Sequence, residues 1–307
     1  MNGEVYHIPA LLPETLEALA IRPEGTYIDC TLGGGGHSRA ILERLGPDGR
    51  LYSLDRDIEA IERAASLAAE DPRFTPVHGN FRFLENYADY YGITGDTDGI
   101  LADLGVSFHH FDAAERGFSF RADGPLDMRM NTLGGRTAAD LLAQAEEEEL
   151  AGIFRLYGEF AQARRLAAAI VRERRQGTPV DTTARLASVA EPFTNPARRK
   201  QELAQVFQAL RIVVNGELEA LEAFLASTLS VLAPGGRLAI ITYHSLEDRL
   251  VKNFIRSGRT DGKIEKDIFG RCALPLRAVG KPVAPSEAEI LANPRSRSAR
   301  LRIAEKI

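Results

Sequence analysis

Short apolar runs alternate with amphipathic stretches through the first hundred residues of the chain, a pattern that predicts parallel strands joined by crossover helices. Tyr27 to Cys30 reads as a first strand, with a glycine loop, Gly33 to Gly36, behind it. A helix is expected over His37 to Leu45, a second strand over Arg50 to Leu54, and a second helix over Ile58 to Ala69. Phe74 to His78 gives a third strand, Leu84 to Tyr91 a third helix, and Gly99 to Val106 a fourth strand.

The alternation then stops. From about Phe108 to Asn215 there are no convincing strands, and the helical periodicity falls on Ala138 to Leu156 (one helix or two), Ala163 to Arg175 and Thr183 to Ala190. It resumes with a helix over Glu217 to Leu232, a Pro234-Gly235-Gly236 turn and a strand from Arg237 to Tyr243. A helix after His244, an irregular stretch and a last strand near Arg300 to Ala304 complete the chain. The expectation is a doubly wound α/β sheet with an all-helical insertion after its fourth strand. Residues 1–107 and 216–307 would form one discontinuous domain and 108–215 a second.

Composition narrows the class. The chain has 307 residues, 44% hydrophobic and 26% charged, as in an ordinary globular protein. No run approaches the ~18 to 20 apolar residues of a membrane span. Met1 to Ala10 has neither the basic nor the apolar region of a secretion signal, so a cytoplasmic location is expected. Cys30 and Cys272 form no CxxC pair, which points away from a disulfide framework and from a zinc site.

Charge is uneven. The net charge is −5, but Arg249 to Ile307 carries 14 Lys and Arg against 6 Asp and Glu, a balance of +8 that leaves −13 on residues 1–248. Further basic clusters fall at Arg164, Arg165, Arg172, Arg174 and Arg175, and at Arg198, Arg199 and Lys200. A polyanion responds to local patches rather than to the total.

The glycine loop carries the first chemistry. Glycines between a strand and a helix let backbone approach a ligand, and the helix N-terminus offers unpaired N–H groups. Asp55, 19 residues after Gly36, ends the second strand, where a carboxylate can accept both hydroxyls of a ribose. A nucleoside cofactor follows. The dinucleotide pattern G-x-G-x-x-G is broken by Ser38 at its third glycine, which disfavours a nicotinamide-dependent oxidoreductase. Further on, Ser245 and Asp248 have the spacing of a capping box, the signature of a helix start.

Eight segments carry a more specific likeness: HIPALL (7–12), YIDCTLGGGGHS (27–38), DLGVS (103–107), ERGFSF (115–120), GPLDMRM (124–130), FQALRIVVN (207–215), HSLEDR (244–249) and NPRSRSA (293–299). In this order they resemble the MraW family of ribosomal RNA methyltransferases, over nearly the whole chain. The resemblance implies a Rossmann-like S-adenosylmethionine methyltransferase fold with a helical insertion. It also implies methylation of the N4 amine of a decoding-region (P-site) cytidine in 16S rRNA. By motif it places cofactor contacts at Gly35, Gly36, His37, Asp55, Phe81 and Asp103. A further contact falls where the family has Gln and this chain has His110; Phe108 replaces a usual Ser, and Tyr243 stands where Phe precedes HSLEDR.

Methyl transfer is an in-line displacement that needs no metal, so positioning is expected to supply much of the rate. As cytosine N4 attacks, positive charge develops on it and nearby acceptors stabilise that charge. Asp103 and the carbonyls of Leu104 to Val106 are the candidates at the fourth strand's mouth, although Asp103 could instead hold the methionine ammonium. His244, at the end of the fifth strand, is a candidate to orient substrate. Phe108, Arg116, Phe118 and Phe120 either line a pocket for an unpaired base or pack the insertion, and Arg295 and Arg297 are candidates for phosphate contacts. The implied partner is 16S rRNA within the small subunit, with no membrane, and the protein as monomer or homodimer. The competing function is a ribosome-assembly factor that keeps the fold as an RNA-binding scaffold.

Overall fold

The computed structural model describes residues 9–105, 113–264, 272 and 274–307, and the chain divides into two compact units. One comprises Met1–Gly105 with Leu218–Ile307, the other Val106–Glu217.

The first unit is a seven-stranded sheet. Its strands are β1 (Thr26–Asp29), β2 (Arg50–Asp55), β3 (Phe74–His78), β4 (Thr97–Asp103), β5 (Leu232–Thr242), β6 (Leu276–Ala278) and β7 (Arg300–Lys306), in the spatial order β3-β2-β1-β4-β5-β7-β6. The first five run parallel and β7 is antiparallel to both its neighbours. Six helices accompany them: α1 (Leu12–Leu19), α2 (Gly36–Leu42), α3 (Ile58–Glu70), α4 (Leu84–Tyr91), α10 (Glu217–Val231) and α11 (Ser245–Ser257), with a short α12 (Glu287–Ala292) before β7.

Successive strand residues serve opposite faces, as the pleat requires. Ile28, Ile100, Ala102, Leu238 and Ile240 pack with Leu84, Phe224, Val251 and Phe254 from α4, α10 and α11. Tyr27, Leu101, Ala239 and Ile241 pack instead with Leu16, Leu19, Ile41 and Ala64 from α1, α2 and α3. Burial on both faces explains why these strands read as apolar runs rather than as alternating ones.

Two boundaries moved. Pro234-Gly235-Gly236 is not a turn ahead of the fifth strand but an irregularity inside β5. Pairing with β4 jumps there from Thr97–Leu232 to Gly99–Arg237. The stretch read as irregular contains β6, which sequence pattern misses because only Leu276 of its three residues is buried.

Among its described residues the second unit has helices and no strand: α5 (Ala138–Gln144), α6 (Glu147–Leu156), α7 (Ala163–Arg175), α8 (Thr183–Ala190) and α9 (Arg199–Asn215). Leu141, Phe154, Leu166, Ile170, Leu186, Val206, Phe207 and Leu210 form its core. Asn215, buried at the end of α9, bonds the backbone of Met128 and Met130 at 2.8 Å each and so ties the segment ahead of α5 to the last helix. Arg174, one of the basic cluster, is structural: its Nη1 donates to the carbonyls of Leu142, Ala143 and Ala145 at the end of α5, satisfying acceptors a helix terminus leaves open.

Candidate active site

Strand order reverses between β1 and β4, with β2 and β3 on one side and β5 on the other. In open parallel sheets the crevice at such a switch point, beyond the carboxyl ends of the strands, is where ligands bind. Three carboxylates mark that edge: Asp29 ends β1, Asp55 ends β2 and Asp103 ends β4.

The glycine loop runs from β1 into α2. Gly35 has φ 76° at the helix N-cap, a conformation only glycine adopts cheaply. A Cβ on Gly36 would meet Pro9 Cγ at 2.8 Å. Neighbouring strands hold the loop. Asp55 accepts the backbone N–H of Gly33 at 2.8 Å through Oδ2 and that of Asp57 at 2.9 Å through Oδ1. These two bonds orient the Asp55 carboxylate beside the loop.

Asp29, fully buried, anchors both ends of the loop. Its carboxylate accepts the Ser38 hydroxyl at 2.7 Å and the Thr31 N–H at 3.1 Å. Burial raises its pKa. The Thr31 hydroxyl in turn accepts the Asp103 N–H at 2.7 Å, which joins the loop to the end of β4.

Asp103 is the centre of the arrangement. Its Oδ1 accepts the Tyr243 hydroxyl at 2.8 Å, and its Oδ2 lies 3.8 Å from His37 Nδ1. Burial is the largest influence and lifts the Asp103 pKa to about 6, against the lowering effects of His37 and Tyr243. The His37 ring is buried, and its Nε2 lies 3.1 Å from the Ala10 carbonyl. A carbonyl can only accept, so Nε2 carries the proton and the neutral ring presents a bare Nδ1 to Asp103. Burial also lowers the pKa of His37, against the opposing pull of Asp103. Two acceptors thus face one another across a gap suited to a donor, and an ammonium meets both.

The remaining candidates divide. Phe81 follows β3 at the same edge and packs edge-on against Phe224, centroids 5.3 Å apart. Arg295 and Arg297 lie exposed in the turn Pro294–Ser298 that leads into β7, whose first residue, Arg300, pairs with Thr242 at the end of β5. Phe108 and His110 lie outside the described residues.

One expectation, the capping box, is corrected, and four candidate side chains are found in structural contacts. The His244 side chain, not that of Ser245, caps α11: its Nδ1 accepts the Glu247 N–H at 3.5 Å, and its Nε2 is 3.1 Å from Glu247 Oε1. Both ring nitrogens face the buried Glu247, so the geometry makes His244 a helix cap. Asp248 is no cap either; it forms a two-point ion pair with Arg302 of β7 at 2.7 and 2.9 Å. Arg116 is buried and donates to the carbonyls of Arg129 and Met130, each at 3.1 Å. Phe118 sits in the core of the helical unit, and Phe120 packs on that core edge-on to Phe207 at 5.5 Å. These three side chains therefore contribute to the packing of the helical unit.

Three residues of the site were not singled out as site residues from sequence: Asp29, Thr31 and Tyr243. Tyr243 had one signal, its place directly after β5, next to the end of β4.

The strand order with its single reversed member, β7, is that of the Rossmann-like methyltransferases. The chain belongs to the MraW methylase family, whose profile matches residues 4–307. It is 55% identical over 303 residues to ribosomal RNA small subunit methyltransferase H of Parabacteroides distasonis, covering 98% of each chain. It is 54% identical over 302 residues to the protein of the same name from Bacteroides thetaiotaomicron, covering 98% of this chain and 97% of that one. A solved structure of a putative rRNA methylase from Clostridium thermocellum matches with TM-score 0.44 and 13% identity, covering 98% of this chain and all of its own. Among the described residues no helix is long and apolar enough to cross a membrane.

Proposed function

We propose that the protein transfers the methyl group of S-adenosylmethionine to the exocyclic N4 amine of a decoding-region cytidine in 16S rRNA, presented in the small ribosomal subunit. The observation that carries the donor assignment is the pair of acceptors, His37 Nδ1 and Asp103 Oδ2, beside the glycine loop. The RNA substrate is supported by the relatives named as small-subunit rRNA methyltransferases.

When bound, S-adenosylmethionine supplies a methyl carbon made electrophilic by the attached sulfonium. The chain's own residues bind and orient. Asp103 and His37 accept the methionine ammonium. Asp55, fixed by Gly33 and Asp57, accepts the ribose hydroxyls, and the absence of side chains at Gly35 and Gly36 lets the loop backbone approach. Phe81 offers an apolar contact to the adenine. With Asp103 bonded to Tyr243 and opposed by His37, candidate acceptors for the cytosine N4 protons are the carbonyls of Leu104 and Gly105, directly after β4. Arg295 and Arg297 contact RNA phosphates, and the helical unit serves as the substrate-recognition domain.

Purified protein incubated with tritiated donor and small subunits from a strain lacking the gene tests the reading. Incorporation recovered as N4-methylcytidine on nucleoside mass spectrometry is the expected result. Bound RNA without incorporation would favour the assembly-factor alternative.

A further inference from the structure

The helical unit contains a cavity of about 240 Å³ between α6 and the start of α7, lined among others by Glu148, Arg155, Phe160, Gln162, Arg164 and Arg165. Three arginines line it against one glutamate. The ion pairs of the unit use other arginines: Arg129, Arg185, Arg198, Arg199 and Arg211 each pair with an Asp or Glu. Arg116 and Arg174 are spent on backbone carbonyls. Among the described residues Arg155, Arg164 and Arg165 have no acidic group within 4.0 Å, and Arg165 only reaches Gln162 at 3.5 Å and lies over the Phe193 ring at 5.4 Å.

The placement of Arg164 and Arg165 breaks a local rule as well. Both fall in the first turn of α7, where the helix dipole favours negative charge. The other described helices of the unit have an acidic residue in the first turn or a side-chain cap: α5 has Thr137 and Asp140, α6 has Glu147, Glu148 and Glu149, α8 has Thr182, and α9 has Glu202 beside Arg199 and Lys200. Among the described helices of the unit only α7 has neither a side-chain cap nor an acidic residue there. Local choices that cost stability without evident compensation concentrate at functional sites. An anion in the cavity would neutralise the guanidinium groups and the helix end together.

We propose that this cavity binds a phosphate ester, specifically a backbone phosphodiester of the RNA substrate. The planar fork of arginine matches phosphate oxygens in pairs, and a cavity of about 240 Å³ has room for one phosphate group. The assignment rests on the RNA-substrate reading above. It adds a site that neither the glycine loop nor the C-terminal arginines supply.

The triple variant R155Q/R164Q/R165Q tests it, with R164E as a second variant of an exposed side chain. Binding of deproteinised 16S rRNA and of small subunits is measured across a series of salt concentrations. Each phosphate contact contributes about 0.7 to 0.9 to the slope of log affinity against log salt. The triple variant is expected to lose at least tenfold in affinity at low salt and to flatten that slope by about one, with donor affinity and melting temperature unchanged. Equal affinity and slope for variant and wild type would overturn the proposal. So would a cavity that takes up inorganic phosphate or a mononucleotide in the wild type only, with RNA affinity the same in both. If the wild type binds RNA but transfers no methyl group, the proposed function fails, while the slope comparison still decides the cavity.

Discussion

His37 presents an unprotonated Nδ1 to Asp103 Oδ2 at 3.8 Å, because its other nitrogen is committed to the Ala10 carbonyl. Two acceptors in that relation repel unless a donor lies between them or one of them takes up a proton. Burial, opposed by His37 and Tyr243, raises the pKa of Asp103 to about 6, so at neutral pH the carboxylate is ionised and can accept a bound donor.

A pH dependence follows. Binding an ammonium requires the Asp103 carboxylate ionised, so lowering pH through about 6 costs affinity. By proton linkage the loss approaches about tenfold per pH unit well below that point, with a plateau above it. Calorimetric titration with S-adenosylhomocysteine from pH 5 to 8 measures this. Asp103→Asn should bind weakly and without the pH dependence, whereas a flat wild-type profile would remove Asp103 from the ammonium site.

The same carboxylate should cost the free protein stability. Asp103 binds protons more tightly folded than unfolded, since its pKa rises from 3.8 to about 6. Its contribution therefore favours folding below pH 4 and is lost as pH climbs through 6. At pH 8 Asp103→Asn removes the half-buried charge and keeps an acceptor for Tyr243. The free variant should melt higher than wild type, by about 2 to 4 °C for each kcal/mol recovered. Saturating ligand should reverse the order, and scanning calorimetry with and without it reads both.

How far sequence could go is visible in these residues. The parallel strands were legible because burial on both faces makes them apolar runs, and Gly33 to Gly36 and Asp55 because strand and helix patterns bracket them. The facing of His37 and Asp103 was not legible, because the parallel alignment of β1 and β4 brings them together from far apart in the chain. Arg116 and Phe118 read the same whether they line a pocket or fill a core, and only burial separates the two. Helix α9 escaped the periodicity reading although Leu203, Val206, Phe207 and Leu210 line one buried face.

Gly36 tests the loop directly. An alanine there places its Cβ 2.8 Å from Pro9 Cγ, a ring that cannot swing aside, so the loop or the segment before α1 must shift. Gly36→Ala should lose about tenfold or more in donor affinity with a modest fall in melting temperature. Gly134→Ala is the control: nothing lies within 4 Å of its added carbon, and it should match wild type in both. Equal donor affinity in the two variants would show that the loop tolerates the displacement and does not approach the ligand closely.

Phe118 separates packing from recognition. Its side chain is 3% exposed and lies among Leu126, Met128 and their neighbours in the helical core. Truncating a buried phenylalanine to alanine typically costs about 3 to 5 kcal/mol. Phe118→Ala should therefore lower the urea midpoint of the helical unit, followed by a probe placed there, and release amides of α5 and α9 to faster hydrogen exchange. Arg116→Ala should act the same way, because it leaves the Arg129 and Met130 carbonyls without the guanidinium that bonds them. Methylation by either variant at low temperature, where the unit stays folded, should approach the wild-type rate. A variant that keeps full stability but loses RNA turnover would return that residue to the base pocket.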